Sequence, residues 1–248
     1  MMMMMRSSKL ISLQLVLSLS CLSVVYSDSS YHGFRKVHND KKTNNLKTIH
    51  FVRHAEGHHN VAGKQNPLFG YLREDLEDAT LTPHGIEQCH QLHDESKSMI
   101  EGAQLLLVSP LNRTLQTATY SFPQLQDKIP WIALESIREQ TGLHPCDRRK
   151  PVSEHSKTYT HIDFSTMIDN EDKLYSQYSL REPRSDVTTR AREFMSWLEH
   201  RPETEIIVVS HCGYLRNLFE NVIKSTDSND RTDFKNAELR TFVIDFSK

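Results

Sequence analysis

The stretch Phe51-Val52-Arg53-His54-Ala55-Glu56-Gly57-His58-His59-Asn60 decides how this chain is read. Its lead-in, Thr48 to Val52, has the length and apolar character of a buried strand, and it runs directly into an arginine and a histidine. The pattern recurs downstream. Leu105 to Val108 leads into Ser109-Pro110-Leu111-Asn112-Arg113-Thr114, and Ile206 to Val209 leads into Ser210-His211-Cys212-Gly213. Trp131 to Leu134 and Thr241 to Phe246 are two further short apolar runs. The runs at 105–108 and 206–209 are nearly continuous in Leu, Ile and Val, as central strands covered on both faces require.

Helical periods fall between these runs. Ile86, Cys89, Leu92 or His93, Ser96 and Ile100 follow three-to-four spacing behind Thr82-Pro83, an N-cap and first-turn pair. Val187, Ala191, Phe194 and Leu198 repeat the period, as do Leu215, Leu218, Phe219 and Val222. Strands alternating with helices predict an α/β chain: a three-layer α/β/α sandwich with a mostly parallel central sheet. Ligands of such sheets bind beyond the carboxyl ends of the strands, which is where Arg53, His54, Arg113 and His211 fall.

That set suits phosphate transfer. A phosphoryl group and its transition state need fixed cations and N–H donors. Arginine grips two phosphate oxygens and keeps its charge, while imidazole titrates near neutrality. One neutral histidine can therefore attack phosphorus while a charged one steadies the oxygens. The turns at Ser109-Pro110 and Ser210-His211-Cys212-Gly213 predict helix N-termini that add backbone donors. Each piece alone has a plain reading: a surface arginine, a hydrogen-bonded core histidine. With 14 His in the chain, single coincidences are cheap, but matches at the ends of three buried strands are not.

Taken together, the segments RHAEGHHN at 53–60, LTPHGIEQC at 81–89, SPLNRTLQTA at 109–118 and VVSHCGY at 208–214 resemble the histidine phosphatase superfamily, also called phosphoglycerate-mutase-like. The resemblance spans Lys47 to about Ile223, with Ala55 where the family usually has Gly. It implies His54 as nucleophile, Arg53, Asn60 and Arg113 as phosphate-binding residues, and His211 as the second histidine. It also implies an acidic proton donor after the third strand, for which Glu139 is the choice and Glu135 the fallback. His144-Pro145-Cys146-Asp147-Arg148-Arg149 resembles an uncharacterised fungal and plant branch of mutase-like proteins. Arg148 and Arg149 are read as surface charge, with contact to a second substrate phosphate as the alternative.

The resulting expectation is a phosphomonoester hydrolase acting on a phosphorylated small molecule, with no metal and no cofactor. His58 and His59 beside Glu56 fit no usual metal-ligand spacing. The rivals are a phosphoglycerate-type mutase using the same intermediate and a non-catalytic phosphate-binding protein on the same fold. Net charge is −2, so any anion site must be built locally, and nucleic acid is not expected as a partner.

The termini of the reading are set by composition. Arg6 and Lys9 precede an apolar, Ser-interrupted stretch from Leu10 to Val25, which predicts a signal peptide over 1–27 and no stable membrane span after its cleavage. A polar linker over 28–46 and one catalytic domain over 47–248 follow. The chain is then secreted or in the secretory pathway if that signal is genuine, and otherwise cytoplasmic. Three cysteines remain in the mature chain, an odd number without metal-like spacing, and oligomeric state is left open. The sequon Asn112-Arg113-Thr114 lies inside the expected site and is therefore expected to be unused.

Overall fold

The computed structural model describes residues 23–25, 45–223 and 228–247. Strands β1 Ser23–Val25, β2 Leu46–Arg53, β3 Leu105–Val108, β4 Trp131–Ala133, β5 Glu205–Ser210 and β6 Leu239–Asp245 form one sheet in the order β1-β6-β2-β5-β3-β4. Neighbours from β2 to β4 pair in parallel, while β6 runs antiparallel to both β2 and β1. β1 falls within the segment that the sequence assigns to a signal peptide. The rest of that segment, and most of the polar linker, lies outside the described residues. No helix among the described residues is long and apolar enough to cross a membrane.

Alternation along the central strands builds two cores. Ile49, Phe51, Leu105, Leu107, Ile206 and Val208 face α6 (Arg184–Glu199) and α7 (Cys212–Leu218), meeting Val187, Ala191, Phe194, Leu198 and Leu215. Val52, Leu106, Val108, Ile207 and Val209 face the other way, onto Leu92 of α2 (Pro83–Ser96) and Leu115 and Ala118 of α3 (Asn112–Ser121). The expected three-layer sandwich and mostly parallel sheet are therefore present. The start of α2 also forms as expected, with Pro83 in its first turn and the Thr82 side chain accepting from Gly85 N at 2.9 Å. β4 stops at Ala133, one residue early, because Leu134 turns the chain toward Glu135 and Glu139.

Register is what matters for chemistry. Arg53 pairs with Ser210, and Val209 lies between Val52 and Val108. His54, His211 and Ser109 thus leave the sheet side by side at its carboxyl edge. Leu107 is fully buried in the strand carrying the turn to Arg113. Leu107→Ala is expected to cost about 2–5 kcal/mol in urea unfolding, the usual penalty for a cavity at a central core position.

Candidate active site

The two histidines after β2 and β5 meet. Their ring centroids are 5.1 Å apart, and His54 is 2% and His211 0% exposed. His54 donates from Nδ1 to the carbonyl of Ala55 at 2.7 Å, so its neutral ring keeps a lone pair on Nε2. Burial, with the charges of Arg113 and Arg53 beside it, holds His54 well below the ordinary imidazole value of 6.5. It is a neutral imidazole with one nitrogen locked and the other available.

His211 corrects an expectation. Arg113 Nε donates to His211 Nδ1 at 3.2 Å, which leaves the proton on Nε2, bonded to Ser109 Oγ at 2.7 Å. Burial followed by the charge of Arg113 pushes its pKa well down. The second histidine is therefore neutral, and positive charge in the site comes from arginine alone.

Of the expected phosphate ligands, Arg53 is tied, among the described residues, only by Nη1 to the carbonyl of Phe234 at 2.6 Å, and its buried Nε has no partner among them. Asn60 accepts the Gly57 N–H at 3.0 Å on Oδ1, and its amide nitrogen donates to no group among the described residues. Both present unspent donors where an anion is expected. Arg113 is more constrained. Beyond His211 it donates to the Cys146 carbonyl at 2.5 Å and to Asp147 Oδ1 at 2.8 Å, and it is 1% exposed.

Glu139, not Glu135, reaches the site. Its two carboxylate oxygens accept the N–H groups of Gly213 and Tyr214 at 3.0 Å each, just past His211. Gly213 gives Glu139 close access: a Cβ there would lie 2.4 Å from Glu139 Oε1 and push the carboxylate aside. Glu135 is instead spent on Arg138 at 2.9 Å and Arg149 at 2.6 Å. This geometry also revises the helix N-termini. Both helices start where expected, but α7 gives its first N–H groups to Glu139, and α3 gives the Asn112 N–H to Asp78 at 2.8 Å.

The sequon amide is engaged as well. Asn112 Nδ2 donates to the carbonyl and carboxylate of Asp78 at 3.2 Å, and its Oδ1 accepts from Tyr159 at 3.1 Å. A glycan on that nitrogen would break these bonds and shift Arg113.

Some of the site is absent from the sequence reading. His58 is exposed and His59 buried, so the pair shares no site. His59 lies 5.4 Å from the His54 ring, and its pKa is pushed well down by burial and by Arg113. Tyr71 follows at 6.2 Å from His59, and His144 stacks on Tyr71 at 5.3 Å. Asp147 Oδ2 lies 3.8 Å from His144 Nδ1, and Asp147 also binds Arg113, which binds His211. The side chains form a closed circuit. No spacing in the sequence pointed to His59, which lies in α1 (His58–Gln65), while Tyr71 sits in a single 3-10 turn and His144 in a loop, neither with a periodic signal.

The basic run also divides. Arg148 is surface charge, paired with Glu77 at 2.7 Å and Glu74 at 3.3 Å. Arg149 is buried: it binds Glu135 and donates to the carbonyls of Lys150, Asp169, Asn170 and Glu171. It is a strut that fixes the loop carrying Asp147, and it has no donor left for a second phosphate.

The comparisons agree with the fold. The Histidine phosphatase superfamily (branch 1) profile matches residues 49–248. The chain belongs to that superfamily. It is 36% identical over 230 residues to Phosphoglycerate mutase-like protein of Arabidopsis thaliana, across 80% of this chain and 84% of the relative. With Probable phosphoglycerate mutase of Arthroderma benhamiae it shares 28% over 212 residues, across 77% of this chain and 63% of the relative. Among solved structures, a putative alpha-ribazole-5'-P phosphatase from Escherichia coli has the same fold, with TM-score 0.53 and 21% identity over 79% of this chain and 89% of that one.

The depressed histidines predict a pH response. Each of His54, His59 and His211 takes up a proton near 6.5 when unfolded but only well below that when folded. Stability is therefore intact above pH 6.5 and falls as pH drops beneath it. Melting temperature measured from pH 7.5 to about 5 should decline steadily, and substitution of His59 by Phe should flatten that decline.

Proposed function

We propose that the chain is a phosphomonoester hydrolase that works through a phosphohistidine on His54. The observation that supports this most is the pairing of His54 and His211 rings at 5.1 Å, with His54 Nδ1 locked on its neighbouring carbonyl. His54 Nε2 attacks phosphorus in line. The phosphorus–nitrogen bond forms as the bond to the leaving oxygen breaks, and Glu139 in its acid form gives that oxygen a proton. Arg53, Arg113 and Asn60 hold the equatorial oxygens, while neutral His211 orients Arg113 by accepting its Nε–H. Water then attacks the phosphohistidine, Glu139 takes its proton, and phosphate leaves as His54 is restored. Positive charge from Arg53 and Arg113 serves where other phosphatases use a metal, so the reaction is written without one.

The deep burial of His54 favours one other reading. A phosphohistidine shielded from water can be held long enough to return its phosphate to a reoriented intermediate, as a mutase requires. Assays with and without a bisphosphate primer separate the two: hydrolysis proceeds at the same rate unprimed, and mutase turnover does not.

His54→Ala is expected to lower kcat on p-nitrophenyl phosphate by at least about a thousandfold, the scale on which loss of an attacking group is felt. It should also abolish acid-labile labelling of the protein. Near-normal turnover in that variant would overturn the mechanism.

A further inference from the structure

We infer that Arg181 is a specificity-determining residue that receives a second anionic group, a carboxylate or a phosphate, on the leaving portion of the substrate. This rests on the phosphohydrolase reading and extends it. Arg181, like Arg53, is a cation of this region whose donors are not used up. Nη1 alone is engaged, by Asp147 Oδ2 at 2.6 Å and the Gly142 carbonyl at 3.1 Å. Nε and Nη2 make no hydrogen bond among the described residues, and the side chain is 29% exposed.

Its position is fixed in two ways. Asp147 holds Arg113 by one carboxylate oxygen and Arg181 by the other, so the two guanidinium groups stand one carboxylate apart. The chain preceding Arg181 is pinned as well. Gly142, at φ +79°, lies so close to the Leu180 carbonyl that a Cβ would approach it to 2.0 Å. That contact joins the loop of Arg181 to the loop that begins at Glu139.

The side of the site follows from Glu139. The group that hands its proton to the leaving oxygen marks where the leaving portion lies. Arg181 shares that side: it donates to the carbonyl of Gly142 in the loop that begins at Glu139, and Asp147 joins it to Arg113. His144, half-buried, stands beside the same Asp147 and carries the Tyr71 stack. An arginine fork with two unspent nitrogens, next to the phosphate-facing arginine, is built for a planar or tetrahedral oxyanion. Arg148 and Arg149 do not compete for it, being committed to carboxylates and backbone carbonyls.

The plainer role for Arg181 is to neutralise Asp147, and the test must tell the two apart. The full chain is assayed on a matched three-carbon series: propyl phosphate, phosphorylated hydroxypropionate and propanediol bisphosphate. The wild type should prefer an anionic member over propyl phosphate by about tenfold in kcat/KM, equal to about 1.4 kcal/mol. Carboxylate and phosphate sources are separated by which member is preferred. In Arg181→Met that ratio should collapse toward one, through KM, and Arg181→Lys should restore part of it. A purely structural arginine would lower kcat/KM on all three by one common factor. That result, or a wild type without preference, overturns the inference. Calorimetric binding of the same series to the His54→Ala variant, with and without R181M, reads the preference as a ratio of Kd values. If nothing is hydrolysed, the hydrolase reading fails by itself, and the binding ratio still decides the role of Arg181.

Discussion

A single buried carboxylate, Asp147, stands between the guanidinium groups of Arg113 and Arg181, and the arrangement of the site follows from that contact. A buried arginine without a counter-ion costs several kcal/mol, and removing one partner of such a pair typically costs about 3–5 kcal/mol. Asp147 makes it possible to hold Arg113 almost out of water and therefore rigid. Rigidity is passed on, since Arg113 sets the tautomer of His211 through Nδ1. The loop that brings Asp147 is in turn fixed by Arg149 on four backbone carbonyls and by Arg138 on the Asp147 carbonyl. Buried charge is tolerated here because almost every donor has an acceptor. Exceptions among the described residues include Arg53, Asn60 and Arg181, where anions would complete the set, and the buried Arg138 Nε and His59 Nδ1.

The same constraint explains the histidines. Three imidazoles packed among guanidinium groups cannot all be cations, because each added charge would meet Arg113, Arg53 and its neighbours at low dielectric. The site resolves this by dividing labour. Arginines, whose charge is insensitive to surroundings, supply the field, and histidines supply a lone pair and N–H groups. A chain of net charge −2 can thereby bind a phosphate dianion, since the potential is made within one pocket and owes nothing to the molecule as a whole.

Much of the sheet was legible because its strands are continuous apolar runs, and all five expected strands differ from the observed ones by no more than two residues at either end. Strand ends also carry short-range information, so His54, Arg113 and His211 could be placed together from sequence. What could not be read depends on loops whose geometry is set by distant partners. Nothing local distinguishes Arg148 from Arg149, yet one is exposed and the other buried, because acceptors from 169–171 arrive around only one of them. The charge state of His211 was likewise illegible, being fixed by an arginine 98 positions earlier. Asp147, Tyr71, His144 and Arg181 belong to the same category: irregular backbone that only the folded circuit makes meaningful.

That circuit has one weak link. Most of its contacts are ion pairs, hydrogen bonds or rings carried on the sheet edge, but Tyr71 and His144 meet only by stacking, on segments that Arg148 also ties together through Glu74 and Glu77. Such a stack is worth only about 0.5–1.5 kcal/mol, so the ring pair can part while the ion pairs of Arg148 keep the two segments together. The histidines can therefore be sealed on average and still admit a visitor without any cost to the core. Small oxyanions need only a brief gap, whereas bulkier esters need both loops to swing aside. Turnover of large substrates should then track the hinge flexibility of these loops more closely than the chemistry beneath them.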